Sequence, residues 1–65
     1  MRVTINAAAF ELPDAARVAD AVRAAAATPP FAVAVNLQFV PRKDYERVVL
    51  YAGDAIEIIA PITGG

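Results

Sequence analysis

"AIEIIAP", Ala55–Pro61, is the stretch on which the fold turns. Ile56 and Ile58 fall on one face of an extended chain, and Glu57 and Ile59 on the other, which is the period of a strand. At the opposite end of the sequence "MRVTIN", Met1–Asn6, repeats the pattern, with Val3 and Ile5 on one side and Arg2 and Thr4 on the other. Both segments are rich in β-branched apolar residues, as strands covered on more than one side should be. The first and last strands are therefore expected side by side at the centre of one sheet, and the rest of the chain must pack around them.

Working outward from the first strand, "NAAAFEL" continues the period-2 alternation through Phe10 and Leu12. A hairpin is expected, with strands near 1–6 and 8–12 and a turn opened by Asn6. The Asn-Gly signal of the tightest turns is absent. "PDAARVADAVRAAAAT" is the helical segment, because alanine and arginine are the strongest helix formers. Val18 and Val22 lie four apart with Ala21 and Ala25 beside them, forming one apolar stripe. Asp14 is a candidate N-cap, with a start one turn later as the alternative. Thr28-Pro29-Pro30 is expected to end the helix, since proline cannot continue it.

"FAVAVNLQFV" gives a third strand, Phe31, Val33 and Val35 sharing a face, with a bulge or turn at "NLQ" before Phe39 and Val40. "PRKDYER" reads as a connecting loop or a short turn of helix. "VVLYAGD" reads as a short strand closed by a Gly53-Asp54 turn. The order β-β-α-β-β-β predicts an α+β domain with the ubiquitin-like β-grasp arrangement, a mixed sheet with one helix on one face. Residues 1–60 are expected to form that domain, and 61–65 a flexible C-terminal tail ending in Gly-Gly.

Composition removes several classes of function. At 65 residues there is room for one small core. There is no cysteine, histidine or serine, so disulfides, thiolate metal sites, imidazole bases and serine nucleophiles are all excluded. Asp54 and Glu57 read as a turn residue and a solvated strand residue rather than a catalytic carboxylate pair. Arg42, Lys43 and Arg47 alternate with Asp44 and Glu46 and read as a solvated loop rather than a phosphate site. No metal-ligand spacing and no glycine-rich phosphate loop is present. A net charge of −1 without a basic patch argues against nucleic acid and anionic membranes. No apolar run reaches the ~20 residues of a membrane span, and the N-terminus lacks a signal-peptide core. A cytoplasmic protein that is not itself an enzyme is the expectation.

The tail "PITGG" is where chemistry can reside. Two residues without Cβ make a thin thread that enters a slot too narrow for side chains. Its tip carries an α-carboxylate, ionised above about pH 3.5, which can attack the α-phosphorus of ATP held by another protein. The resulting acyl-adenylate can accept sulfur. From Pro61 to Gly65 the thread spans roughly 15 Å when extended.

With those features in view, the sequence resembles the ThiS family, the sulfur carriers of thiamin thiazole synthesis. The resemblance covers almost the whole chain. It is carried by "VNLQFVPRKDYE" (Val35–Glu46), "AGDAIEIIAP" (Ala52–Pro61) and Gly64-Gly65. Two departures are visible: "LPDAARVAD" lacks the usual Gly and Thr before the helix, and alanines replace larger apolar residues within it. The resemblance implies a β-grasp fold and a carrier role. An ATP-dependent activating adenylyltransferase would adenylate Gly65, a sulfur donor protein would convert it to a thiocarboxylate, and a thiazole synthase would receive the sulfur. It implies no bound cofactor and no metal, ATP being used by the activating enzyme. Gly64 would keep the approach narrow, Ile62 and Thr63 would lie in the partner's slot, and an exposed apolar face with Ile59, Phe39 and Leu37 would dock the partners. The alternatives are the small subunit of molybdopterin synthase, with the same tail chemistry, and a non-covalent β-grasp interaction module.

Overall fold

Two asparagine-opened turns and one central strand organise the structure, a computed structural model in which residues 1–60 are described. The elements in chain order are β1 (Arg2–Ile5), β2 (Ala8–Glu11), α1 (Val18–Ala24), β3 (Ala32–Val35), β4 (Gln38–Val40), a single 3-10 turn (Arg42–Asp44) and β5 (Ala55–Ile59). The five strands form one sheet in the order β2-β1-β5-β3-β4. The expected central pair is present: β1 and β5 run parallel, with Thr4 opposite Ala55 and Ile5 opposite Ile56. On its other side β5 is antiparallel to β3, from Val35↔Ile56 to Ala32↔Ile59. This is the β-grasp arrangement, mixed and with the helix on one face.

Both hairpins turn through two residues in the left-handed region. Asn6 and Ala7 have φ of 50° and 69°, and Asn36 and Leu37 have the same pair of values. Positive φ at both central positions is the type I′ geometry, whose twist matches that of the strands it joins. Asparagine tolerates the first position because its short side chain bonds locally. The stretch expected as one strand broken at "NLQ" is thus a full hairpin, β3–β4.

Period 2 sets the two faces of the sheet. Val3, Ile5, Val33, Val40 and Ile56 are buried beneath the helix, joined by Val18 and Ala21 from α1 and by Leu12 and Leu50 from the loops. Val22, Val35 and Ile58 are partly buried against them. Fully burying such a side chain is worth about 1.5–3 kcal/mol, so a handful of residues carries the core.

The helix starts one turn after Asp14, the later of the two expected starts, so Asp14 does not cap it, and it ends at Ala24, earlier than the prolines suggest. The chain turns at Pro13–Ala16 with Ala15 at φ 64°, and Arg17 is the N-cap. An arginine side chain has no acceptor for the first-turn amides. Instead the Arg17 N–H donates to an Asp20 carboxylate oxygen at 2.8 Å, and Arg23 pairs with the same carboxylate at 2.7 Å. These bonds, the Arg17 amide foremost and Arg23 next, hold the Asp20 carboxyl below its ordinary value of 3.8. At the other end the helix stops before the prolines. The Ala26 N–H donates to Arg23 O at 3.0 Å and the Ala27 N–H to Val22 O at 3.2 Å, with Ala26 at φ 53°. That is a Schellman closure made with alanine where glycine is usual.

Val48–Tyr51 is a further correction. It alternates as expected, and Leu50 is fully buried, but it joins no ladder of the sheet. It forms one isolated bridge, Arg17↔Val49, with the Val18 N–H on Val48 O at 3.0 Å and the Leu50 N–H on Ala16 O at 2.8 Å. Its backbone partner is the segment leading into α1. The Gly53-Asp54 turn forms as expected: the Asp54 N–H reaches Tyr51 O at 3.0 Å, and the Tyr51 N–H reaches the Asp54 carboxylate at 2.8 Å.

Candidate functional site

The uncovered face of the sheet divides into two halves. Toward β2 it is charged, with Arg2 paired to Glu11 at 3.5 Å. Toward β4 it is apolar. Register places Ala34, Phe39 and Glu57 in one row and Ala32 and Ile59 in the next, all on the side away from the helix. Phe39 is 70% exposed and Ile59 58%. An apolar band therefore crosses the uncovered face from β4 to the end of β5, with Glu57 as a charged neighbour. Isolated exposed apolar residues are ordinary; Phe39 and Ile59 differ in sharing one face of the sheet.

Leu37 stands apart from that band in position and strain. It is 87% exposed and occupies the second turn position at φ 69°, where glycine is the favoured residue. Because β3 runs antiparallel to β5, this turn lies at the start of β5, whereas Ile59 lies at its end. Five strand residues separate the two ends, about 13 Å. The structure thus brings Phe39 and Ile59 onto one face and sets Leu37 at the far end of the same edge.

A groove of about 460 Å³ runs beside β4, with Phe39, Tyr51, Asp44 and Asp54 among its walls. Tyr51 is 69% exposed and was not singled out by sequence; its strand-like setting gave no sign that it would be left outside the sheet. Ile62, Thr63, Gly64 and Gly65, the tail positions expected to carry the chemistry, lie outside the described residues, as does Pro61. The structure describes the platform from which they start: β5 ends at Ile59, followed by an exposed Ala60.

What anchors that platform is a pair of asparagine amides that the sequence shows only as turn formers. At the start of β5, the Asn36 N–H donates to Ala55 O at 2.8 Å and the Ala55 N–H to Asn36 Oδ1 at 3.0 Å. Further along β5, the Asn6 N–H donates to Ile56 O at 2.9 Å, and toward its end the Ile58 N–H donates to Asn6 Oδ1 at 2.8 Å and Asn6 Nδ2 to Ile58 O at 3.2 Å. Each hairpin turn holds the end of β5 nearest to it. Among the described residues no group of acids could hold a metal ion, and no helix is long and apolar enough to cross a membrane.

The ThiS family profile matches residues 3–65. The chain belongs to the ThiS family. Members of this family are small carriers rather than catalysts and serve as sulfur carriers in thiamine biosynthesis. Among solved structures, this ThiS chain superposes on the crystal structure of a thiamine biosynthesis protein (ThiS) from Geobacter metallireducens. The TM-score is 0.83 at 20% identity, with both chains covered in full. The solution structure of a thiamine biosynthesis protein from the same organism gives a TM-score of 0.80 at 20% identity, covering 100% of this chain and 88% of that one. At that identity the two structures speak for the fold. A search of curated proteins gave no significant match.

Proposed function

We propose that this chain carries sulfur for thiazole formation in thiamine biosynthesis as a thiocarboxylate on Gly65, acting in the cytoplasm as a co-substrate of other enzymes. An ATP-dependent adenylyltransferase binds the body. A Gly65 carboxylate oxygen attacks the α-phosphorus of ATP, forming a P–O bond as pyrophosphate leaves. A sulfur donor protein delivers sulfur at the sulfide level to the acyl carbon; the C–S bond forms and AMP departs. The thiocarboxylate then passes its sulfur to a thiazole synthase. Gly64 keeps the thread narrow beside Gly65, and Ile62 and Thr63 line the entry.

The observation that carries this reading is the reach of the family match, which runs through the tail and includes Gly64 and Gly65. Two structural features support it. The last strand leads directly to the tail, and the apolar band of Phe39 and Ile59 borders that exit. Leu37 extends the docking surface: a leucine kept in a left-handed turn, almost fully exposed, carries backbone strain that a contact role would explain.

The test is an intact-mass measurement after incubation with the activating adenylyltransferase, ATP and a sulfur donor. Exchange of one oxygen for sulfur, mapped to Gly65 and lost when Gly64 and Gly65 are deleted, is the expected result. No mass change, with partner binding indifferent to that deletion, would leave a non-covalent interaction module. Transfer of sulfur to a pterin precursor instead of a thiazole would assign the chain to molybdenum cofactor synthesis.

A further inference from the structure

Among the described residues, the arginine side chains are partnered with one exception. Arg2 faces Glu11 at 3.5 Å, Arg23 faces Asp20 at 2.7 Å, and Arg47 faces Asp44 at 3.8 Å. The Arg17 guanidinium donates to Glu46 O at 2.8 Å. Arg42 is exposed and makes no such bond with any described residue. It lines a cleft of about 390 Å³ and is the only charged residue there; the other walls include Val22, Ala27, Pro30, Phe31 and Tyr45. Those walls are braced from behind. Val22, Phe31 and Tyr45 pack against the core. The Phe31 and Tyr45 rings stack with centroids 6.1 Å apart and planes 10° from parallel. The Ala19 N–H holds Tyr45 O at 2.9 Å, and the Tyr45 N–H reaches Arg42 O at 3.2 Å. Phe31 leads into β3 beside the Ala32↔Ile59 pair, and Arg42 follows β4, whose last residue pairs with Val33. The cleft therefore sits at the end of the sheet where β5 finishes, on the helix side. Phe39 and Ile59 lie on the opposite face.

We infer that this cleft is a second docking point for the protein that activates the tail, and that it takes an apolar side chain of that partner with a carboxylate beside it. This rests on the carrier function proposed above. Mostly apolar walls with one placed polar group are the usual makeup of a site of this size. The walls select an apolar body. The guanidinium offers a planar fork that a carboxylate matches with two parallel hydrogen bonds. With no second cation in the cleft, the match is to one carboxylate and not to a chain of phosphates. An apolar side chain seated below the pair excludes water and strengthens it. A partner that encloses the end of β5 meets Phe39 and Ile59 on one face and this cleft on the other.

The experiment uses the full chain, an activating adenylyltransferase and ATP, with pyrophosphate release followed as a function of chain concentration. Arg42→Glu reverses the charge in the cleft. Lys43→Glu makes the same change one residue away, outside the cleft. Ala27→Trp fills the cleft. Thermal unfolding of each variant reports whether the body is intact; Arg42 has no partner to lose. The expected result is a rise in KM of about a hundredfold for Arg42→Glu and about tenfold for Ala27→Trp, with kcat held in both. Lys43→Glu is expected to change KM by about threefold or less. Wild-type KM in Arg42→Glu would overturn the inference. Equal losses in Arg42→Glu and Lys43→Glu would also overturn it, because the effect would then be long-range charge and not the cleft. So would wild-type KM in a folded Ala27→Trp; if that variant does not fold, the comparison of Arg42→Glu with Lys43→Glu decides alone. Self-association of the wild type in sedimentation, abolished by Arg42→Glu, would give the cleft to a second copy of this chain and overturn the inference as well. Absence of pyrophosphate release from the wild type is a different failure, and it would remove the carrier function and this inference with it.

Discussion

The two hairpin turns have one backbone and two side chains. Both open on asparagine, both pass through φ of 50° and 69°, and both return an asparagine amide to β5. The second residue is Ala7 beside the tail root and Leu37 at the opposite end of the strand. Glycine would satisfy either backbone better than the residue present. At Ala7 the departure is mild and the site small. At Leu37 a large apolar side chain is held out into water on a strained residue, the least favourable choice for stability alone. Equal local demand with unequal side chains separates what the fold requires, which is the asparagine, from what the proposed docking requires, which is the leucine.

The largest effect should come from breaking what the turns share. Asn6→Val and Asn36→Val each place a β-branched residue at φ 50° and delete an amide bonded to β5. A loss of about 2–3 kcal/mol is expected for either, against perhaps 5 kcal/mol for a domain of this size. Urea unfolding of the two variants should give similar midpoints, and a harmless substitution at one turn would end the equivalence. Next comes the difference between them. Leu37→Gly should stabilise the domain by about 1 kcal/mol while lowering the efficiency of activation by about tenfold, the loss of one well-buried contact. Activation at the wild-type level would remove Leu37 from the docking surface. Ala7→Gly should match that gain of about 1 kcal/mol in thermal unfolding with activation unchanged, which makes it the control for strain relief. Smallest is Asp20→Asn, which touches neither turn and should cost about 0.5 kcal/mol or less near neutrality. Because the folded Asp20 carboxyl titrates below its unfolded value of 3.8, its stabilisation is complete above that pH and disappears as pH falls through the folded value. An acid titration of stability should therefore be shallower in Asp20→Asn than in wild type below about pH 4.

Strands were legible where alternation and β-branching coincide. Val3, Ile5, Ile56 and Ile58 announce a central pair, and the structure pairs them in parallel. Val48–Tyr51 alternates just as clearly, yet alternation reports which side chains turn inward, not which backbone lies alongside, and its partner is the approach to α1. Alanine favours helix in every register, so the alanine-rich sequence does not show where the helix stops; the breaks at Ala15 and Ala26 are left-handed alanines, which propensity cannot foresee. The exposure of Ile59 followed from period 2, which sets it on the face opposite Ile56 and Ile58; that of Phe39 depends on the β3–β4 register. The amide clamps did not, because the partner of a side-chain hydrogen bond 52 residues away in sequence is set by the sheet order and not by local pattern.

The placement of β5 also has a consequence during synthesis. The strand that joins the two hairpins is the last of the described strands to leave the ribosome, and until it arrives β1 and β3 have no common neighbour. A nascent chain stalled before Ile59 lacks the middle of its sheet. Such low sequence locality delays folding until β5 has been made. A truncated product is therefore left to proteolysis as an unfolded peptide, and an activating enzyme that recognises the assembled sheet would not spend ATP on it.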